Sequence, residues 1–131
     1  MGNSTISNTK IISFTDLETW KQAHNLVKFI YETTDNFSKT DMFGITSQMQ
    51  RSALSISSNI AEGFGRQSSK DKLRFYVIAR GSLTELQNQL IVCKDTNKIS
   101  YEKYIKLEEQ SILTHKLLHG LIKSTDRKNH A

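Results

Sequence analysis

The sequence contains no proline and one cysteine, and it has no long apolar run. Because proline supplies many of the rigid turns of all-β folds, its absence favours a chain that is mostly helical. A lone cysteine, Cys93, cannot form an internal disulfide, which is typical of a reducing compartment. No apolar stretch approaches the roughly 20 residues of a membrane span, and no signal-peptide core precedes the rest of the chain. The sequence therefore predicts a cytoplasmic protein without a membrane partner.

The chain carries a formal net charge of +5, and the excess is concentrated in one region. Residues 51–80 contain six basic and two acidic side chains, whereas residues 1–50 contain four and five. Such a cluster is typical of a surface that meets a polyanion, and the alternative is a solvated basic face that aids solubility. The candidate contacts with nucleic-acid phosphates are Arg51, Arg66, Lys70, Lys72, Arg74 and Arg80.

Four segments have the spacing of three and four residues between apolar side chains that indicates an amphipathic helix. The expected N-terminal caps, in chain order, are Thr15 (in a capping box with Glu18), Thr46, Ser68 or Ser69, and Ser100. Gly63 and Gly65 are expected to end the second helix in the left-handed conformation of a C-cap. We predict an all-α fold, an antiparallel up-down-up-down four-helix bundle over residues 14–124. A disordered segment, 1–13, would precede it, and a polar tail, 125–131, would follow.

The second helix is unusually rich in small residues, which allow neighbouring backbones to approach closely. These are Ser52, Ala53, Ser55, Ser57, Ser58 and Ala61. The third helix contains Gly81, where glycine costs about 1 kcal/mol relative to alanine, so we expect another backbone to approach it. That helix also carries four consecutive bulky side chains, Phe75, Tyr76, Val77 and Ile78. Since one buried face does not require four of them, we predict a second buried surface, a contact between subunits.

Asn59, Glu62, Ser82 and Glu85 form a possible acid/base cluster on facing helices. We interpret them as a structural polar network that fixes helix register, because buried carboxylates are usually held by hydrogen bonds. The basic side chains also have a structural alternative. Arg51 and Arg66 could pair with Glu62, and Arg80 with Glu85.

His115 and His119 are spaced as two zinc ligands on one helix face. Lys116 stands where a metalloprotease requires glutamate, and no third ligand is evident. The third helix has an apolar seam at spacings of three and four residues, made of Tyr76, Ala79, Leu83, Leu86, Leu90 and Cys93. Cys93 lies on this seam, where an inert thiol is expected. We predict no catalytic residue, no metal and no cofactor. A metal-dependent enzyme built on His115 and His119 is the least favoured of the hypotheses.

The chain resembles a known family along most of its length. The residues that carry the resemblance are Phe14–Leu17, Trp20, Ala23, Ile30, Tyr31, Thr34, Phe37, Phe43–Thr46, Gln48, Arg51, Ser55, Ile56, Asn59–Gly63, Gly65, Arg66, Phe75, Ala79, Gly81–Leu83, Glu85, Leu86, Gln89 and Leu90. In this order they are similar to the 23S rRNA intervening-sequence (S23) proteins, which are four-helix bundles. They are more distantly similar to the accessory variability proteins of diversity-generating retroelements.

The resemblance implies a homopentamer, a ring or barrel with a basic surface and a nucleic-acid-binding role. In the retroelement proteins, the pentamer binds a reverse transcriptase and its template RNA. No catalytic activity and no small-molecule substrate come with the resemblance. We therefore predict a non-catalytic oligomeric bundle that binds RNA or other nucleic acid around residues 51–80. The alternative is a protein-interaction scaffold or accessory subunit of a reverse transcriptase.

Overall fold

The computed structural model describes residues 10–130, which contain four α-helices. They are α1 (Glu18–Thr34), α2 (Ser47–Phe64), α3 (Ser69–Asp95) and α4 (Tyr101–Asn129). A single 3-10 turn, Phe14–Asp16, precedes α1, and two irregular turns, Lys39–Asp41 and Met42–Thr46, connect α1 to α2. The prediction of an all-α four-helix bundle is confirmed. Most of the segment predicted to be disordered, residues 1–9, lies outside the described part of the chain.

One apolar core runs between the four helices. Its members are Ala23, Leu26, Ile30, Met49, Ala53, Ile56, Ile60, Tyr76, Ala79, Leu83, Leu86, Leu90, Cys93, Tyr104, Leu107, Leu118 and Ile122. Every residue of the seam predicted for α3 is among them. Burial of one large apolar side chain contributes about 1.5–3 kcal/mol, so the shared core of the four helices stabilises their packing. The close packing expected of the small residues of α2 occurs on one face of the helix: Ser52, Ala53 and Ser57 are buried, Ser55 and Ala61 are half-buried, and Ser58 is exposed.

Contacts between neighbouring helices pair residues in reverse order along the chain. On α2 and α3, Ser55 bonds to Ser82, while Gly63 lies against Tyr76. The same reversal relates α1 to α4, where Thr19 contacts Leu117 and Gln22 contacts Gln110. It also relates α3 to α4, where Gln87 contacts Ser111 and Lys94 contacts Tyr104. Antiparallel neighbours produce this order. The junction between α2 and α3 therefore lies at the same end of the bundle as the last turn of α4.

The first helix begins differently from the prediction. Ser13, not Thr15, is the N-cap of the 3-10 turn, and its hydroxyl accepts a hydrogen bond from the Thr15 N–H at 3.3 Å. The Asp16 carboxylate accepts from the N–H groups of Ser13 and Ile12, both at 2.9 Å, and these bonds lower the pKa of Asp16. The predicted capping box of Thr15 is therefore wrong by two residues. Leu17 has extended backbone angles that separate the turn from α1.

The other helix starts agree better with the sequence. Ser68 caps α3 by accepting from the Asp71 N–H, and Ser100 caps α4 by accepting from the Lys103 N–H, both at 3.1 Å. Thr46, in contrast, already has helical backbone angles, and its side chain makes no capping bond. The prediction of a cap at Thr46 is wrong because the irregular turn before it continues directly into α2.

Gly65 is the C-cap residue of α2, as predicted, but neither glycine at this helix end adopts the left-handed conformation. Gly65 has a right-handed φ of −76°, and no glycine in the described residues has a positive φ. The prediction of left-handed caps at Gly63 and Gly65 is therefore wrong. Gly63 is buried inside the helix, where it faces Tyr76. Among residues 10–130, the residue with a left-handed φ, 60°, is Asn97 in the turn that ends α3.

The last helix is longer than predicted. It continues to Asn129, because Ile122 and Thr125 are still buried in the bundle. The Thr125 hydroxyl donates to the Leu121 carbonyl at 2.7 Å, which satisfies it inside the helix. Residues 125–129 therefore belong to α4, and the prediction of a polar tail is wrong for them. Within residues 10–130, no helix has an apolar stretch long enough to span a membrane.

Candidate nucleic-acid interface

The junction between α2 and α3 holds two arginines against one aromatic ring. The guanidinium carbon of Arg66 lies 4.6 Å from the centroid of Phe75, and that of Arg74 lies 5.4 Å from it. Arg66 also donates to the Glu62 carboxylate at 2.9 Å, the ion pair that the sequence offered as an alternative. Arg74 is 4.0 Å from Asp71, at the limit of an ion pair. Both arginines are thus positioned by their own neighbours at the surface.

Lys72 has a structural role that the sequence did not indicate. Its ammonium group donates to the Phe64 carbonyl at 2.6 Å and approaches the Gly63 carbonyl at 3.4 Å. It also lies 5.3 Å from the centroid of the Phe64 ring. The Gly63 carbonyl also accepts from the Arg66 N–H at 3.1 Å, so the carbonyl that Lys72 chiefly caps at the end of α2 is that of Phe64. Burial, followed by the nearby charge of Lys128, lowers the pKa of Lys72.

The six basic residues predicted to contact nucleic acid do not share one site. Lys70 and Lys72 lie in the first turn of α3 and Arg74 in the second, and Arg74 shares the Phe75 ring with Arg66. Arg51 is thirteen residues before Phe64, the last residue of α2, which corresponds to about 20 Å along the helix. Its side chain donates to Gln48 at 2.6 Å, and no acid pairs with it in residues 10–130. The structure brings four of the six together.

Arg80 lies further along α3, eleven residues from the beginning of the helix. It is half-buried, and the ion pair with Glu85 offered as an alternative does not form in the described part of the chain. Eleven residues correspond to about 16 Å along the helix axis, so Arg80 is outside the junction. The cluster of positive charge is therefore smaller than the 51–80 interval implied.

The four bulky residues of α3 face three different environments. Tyr76 is buried in the core of its own chain, and burial raises its pKa to about 12. Phe75 is half-buried under the two arginines. Val77 and Ile78 are 44% and 49% exposed. Tyr76 is thus unavailable to a partner, and the predicted subunit contact would rest on Val77 and Ile78.

Gly81 lies one turn further along α3 and is also exposed. A Cβ built on Gly81 meets no atom within 4 Å, so the expected close approach does not occur inside the chain. The prediction of a neighbouring backbone within one bundle is therefore wrong.

Half of the predicted polar network forms. The hydroxyls of Ser55 and Ser82 lie 2.8 Å apart, and the Asn59 amide donates to the Ser55 hydroxyl at 3.1 Å. This chain of bonds joins α2 to α3. Glu62 and Glu85 are exposed and take no part in it, so their assignment to a buried network is wrong. The serine hydroxyls reach across because both side chains are short and the two helices lie close together.

The remaining candidates do not assemble into a reactive site. His115 is half-buried and His119 is exposed on α4, and residues 10–130 contain no group of three or more His, Cys, Asp or Glu side chains placed to hold a metal. Cys93 is buried with its sulfur 3.4 Å from the sulfur of Met49. Burial raises the pKa of this thiol, which disfavours the nucleophilic thiolate.

A groove of about 480 Å³ lies between α1 and α4, away from the junction. Phe29, Leu107 and Leu113 form apolar parts of its lining. Two lysines and two glutamates also line it, so these charges balance. A balanced rim makes it a poor site for a polyanion. The sequence gave no indication of this groove, because it depends on how two distant helices pack.

The sequence interpretation missed basic residues at the end of α4. Arg127 and Lys128 are exposed in its last turn, at the same end of the bundle as the α2–α3 junction. They were assigned to a tail because few apolar residues follow Ile122. The signal that could have identified them is Thr125, three residues after Ile122 and therefore on the same helix face.

The profile of the 23S rRNA-intervening sequence protein family matches residues 15–120, most of the described chain. The chain belongs to this family. A crystal structure of a protein with unknown function from the S23 ribosomal protein family of Bacteroides thetaiotaomicron is similar, with a TM-score of 0.72 and 27% sequence identity. The alignment covers 80% of this chain and 98% of that one. No curated protein matches. These matches concern the 23S rRNA-intervening sequence family, and the resemblance to accessory variability proteins stays a prediction.

Proposed function

We propose that this 23S rRNA-intervening sequence family member is a non-catalytic protein that binds RNA, or another nucleic acid, through its basic α2–α3 surface. The observation that carries the proposal is the arrangement of Arg66, Lys70 and Arg74 at one exposed junction. Two of these cations are held by the Phe75 ring. Cations that are already positioned lose less conformational entropy when they bind phosphate.

The local charge supports a polyanionic ligand. The junction, residues 62–74, carries a net charge of +2, since it holds four basic and two acidic side chains. Both acids lie beside arginines, because Glu62 pairs with Arg66 and Asp71 reaches Arg74 at 4.0 Å. Lys70, Lys72 and Arg80 form no ion pair within residues 10–130. Binding through such contacts weakens steeply with salt, because counterions are released from the nucleic acid.

The family description favours RNA over DNA as the first ligand to test. The description of the family refers to intervening sequences of 23S rRNA, and we extend this association with RNA to the present chain. The part of the chain that the structure describes has no β-sheet with exposed aromatic residues of the kind that reads single-stranded RNA by sequence. We therefore expect recognition by charge and shape.

Assembly with copies of the same chain is part of the proposal. Val77 and Ile78 form an exposed apolar pair beside the basic junction, and Gly81 leaves space for another backbone next to them. Five copies of a chain with a formal charge of +5 would carry +25. A homopentamer, which the family resemblance implies, would repeat the basic surface around an axis and bind RNA at several points.

The decisive experiment reverses charge at the junction. We expect the double variant Lys70→Glu, Arg74→Glu to bind a structured RNA hairpin at least about tenfold more weakly than the unchanged protein at low salt. The matched control is Lys103→Glu, Lys106→Glu on α4, which changes the net charge equally but lies beside the α1–α4 groove. Fluorescence anisotropy gives the Kd, and circular dichroism checks the helices. Equal Kd values for the unchanged protein and the junction variant would refute the proposal.

A second candidate is a protein-interaction scaffold, such as an accessory subunit of a reverse transcriptase. The exposure of Val77 and Ile78 favours it, because an apolar pair can bind a protein other than a second copy. Co-purification of the chain with a reverse transcriptase, lost in Val77→Ser, Ile78→Ser but retained in Lys70→Glu, Arg74→Glu, would favour this function over RNA binding. Metal analysis of the purified protein separately tests the enzyme hypothesis built on His115 and His119.

A further inference from the structure

One aromatic ring contacts both arginines of the junction, and the base of its side chain is fixed against α2. The guanidinium carbons of Arg66 and Arg74 lie 4.6 and 5.4 Å from the centroid of the Phe75 ring. A methyl group built on Gly63 of α2 would lie 3.1 Å from the Cβ of Phe75, so this side chain begins close to the neighbouring helix. A cation over the face of a ring is attracted by its π electrons. Phe75 therefore restricts both guanidinium groups to one part of the junction.

Arg66 has few hydrogen-bond donors left for a ligand. Its Nη2 donates to the Glu62 carboxylate at 2.9 Å, and its Nε is buried without a hydrogen-bond partner in residues 10–130. A guanidinium group binds phosphate bidentately through two neighbouring nitrogens. Because one nitrogen of Arg66 is enclosed and a second bonds to Glu62, Nη1 is the nitrogen that remains free. Arg66 therefore cannot bind a phosphate bidentately unless its pair with Glu62 opens.

Arg74, in contrast, keeps its guanidinium group available. Its Nη2 lies 4.0 Å from the Asp71 carboxylate, which is too far for a hydrogen bond. Within residues 10–130, Arg74 donates no hydrogen bond, although its neighbours at the junction do. The Arg74 side chain is 67% exposed, compared with 40% for that of Arg66. The Phe75 ring thus orients Arg74 without occupying any of its donors.

We propose that Arg74 binds a backbone phosphate of RNA bidentately, and that Phe75 is a positioning residue that acts through Arg74. The inference rests on the proposed function and deepens it, because it assigns different roles to two arginines that carry the same charge. Arg66 stays paired with Glu62 and contributes to the shape of the junction. A guanidinium group that the ring already orients loses less conformational freedom when it binds.

The first test compares Arg74→Lys with Arg66→Lys. Each variant removes one guanidinium group from the same ring and leaves the net charge unchanged, so each is the control for the other. Fluorescence anisotropy with a structured RNA hairpin gives Kd at several salt concentrations. We expect Arg74→Lys to bind about fivefold more weakly, because a lysine cannot form two parallel hydrogen bonds to one phosphate. Arg66→Lys should bind within about twofold of the unchanged protein, since it keeps a cation beside Glu62.

The salt dependence separates geometry from charge. The slope of log Kd against log salt concentration should be the same in Arg74→Lys and in the unchanged protein, because the number of neutralised phosphates does not change. Arg74→Met, which removes the charge, should reduce that slope by about 1. A loss of affinity at constant slope is the result expected of a lost bidentate contact.

The second test concerns the ring. Phe75→Tyr keeps the aromatic face and should bind like the unchanged protein, whereas Phe75→Leu should bind about threefold more weakly, since it loses a cation–π contact. In the Arg74→Lys background, Phe75→Leu should cause little further loss, because the guanidinium group that the ring orients is already absent. A merely structural Phe75 would weaken binding equally in both backgrounds. Circular dichroism and urea unfolding check that each variant is folded.

Three results would each overturn the inference. They are equal losses in Arg74→Lys and Arg66→Lys, an unaffected Kd in Arg74→Lys, and equal losses from Phe75→Leu with and without Arg74. In these cases the proposed function stands if Lys70→Glu, Arg74→Glu still weakens binding. If the unchanged protein does not bind RNA, both proposals fall together.

Discussion

A methyl group added to Gly63 of α2 would lie 2.6 Å from Cε1 and 2.9 Å from Cδ1 of Tyr76 on α3. The ring of Tyr76 is buried and has little room to move. This contact, and not a turn in the chain, explains the glycine. The close approach brings the end of α2 to the beginning of α3, and it thereby positions the basic junction.

The first prediction concerns this contact. Gly63→Ala gains about 1 kcal/mol of helix propensity, but forcing a methyl group into the Tyr76 ring costs about 1–3 kcal/mol. We expect a net loss of stability, measured as a lower urea midpoint at unchanged slope. Gly120→Ala on α4 is the control, because its Cβ would meet nothing within 4 Å and should raise the midpoint. Equal gains in both variants would contradict the packing role of Gly63.

The second prediction concerns Gly81. Within one chain the added methyl group is free of contacts, so Gly81→Ala should stabilise a monomer by up to about 1 kcal/mol. If copies assemble through the adjacent Val77 and Ile78, the same methyl group should weaken the assembly. Native mass spectrometry over a dilution series measures this. An assembly that dissociates at the same concentration with and without the methyl group would place the subunit contact elsewhere.

A third prediction tests the bond between α2 and α3. The hydroxyls of Ser55 and Ser82 lie 2.8 Å apart, and Asn59 donates to Ser55. Ser55→Ala should cost about 0.5–1.5 kcal/mol of unfolding free energy, because it removes one bond to each neighbour. Ser82→Ala should cost less, since Asn59 keeps its partner. A cycle of the two substitutions gives the coupling energy, and a value near zero would show that the hydroxyls act independently.

The fourth prediction concerns alkaline pH. Burial raises the pKa of Tyr76 to about 12, above the value of about 10 expected in the unfolded chain. Below pH 10 the phenol is protonated in both states, and its contribution to stability is fully present. Between pH 10 and 12 only the unfolded chain ionises, so stability falls as the pH rises. Between pH 9 and 11, the unfolding free energy of Tyr76→Phe should fall less than that of the unchanged protein. Urea unfolding at each pH measures both values. Parallel curves would exclude this role for Tyr76.

Much of the fold could be predicted because the relevant information is local. The seam of α3, from Tyr76 to Cys93, repeats at helical spacing, and all its predicted members are buried. Ser68 and Ser100 cap helices through bonds to residues three positions away, so a short stretch of sequence contains both partners. The N-cap before α1 was predicted two residues too late, because Thr15 and Ser13 are both residue types that cap helices. The Asp16 carboxylate favours Ser13, since it accepts a hydrogen bond from the Ser13 N–H.

The candidate site was predicted only in part. The sequence showed the excess of positive charge in residues 51–80. Arg51 and Arg80 nevertheless lie outside the junction, because each is several helical turns away from it along its own helix. Lys72 could not be recognised as a helix cap, because the carbonyls that it contacts belong to the preceding helix. Glu62 and Glu85 were placed in the polar network by their helical spacing, whereas both are exposed and Ser55 takes their place.

The sequence by itself determined four amphipathic helices, their buried faces and a chain with a local excess of positive charge, since these depend on residues a few positions apart. Only the tertiary structure decided which cations meet. The charge of Lys128 reaches Lys72, although the two lie 56 residues apart in the chain and no spacing rule connects them. The packing register between α3 and α4 places them at one end of the bundle, because core side chains must interlock along the full length of both helices.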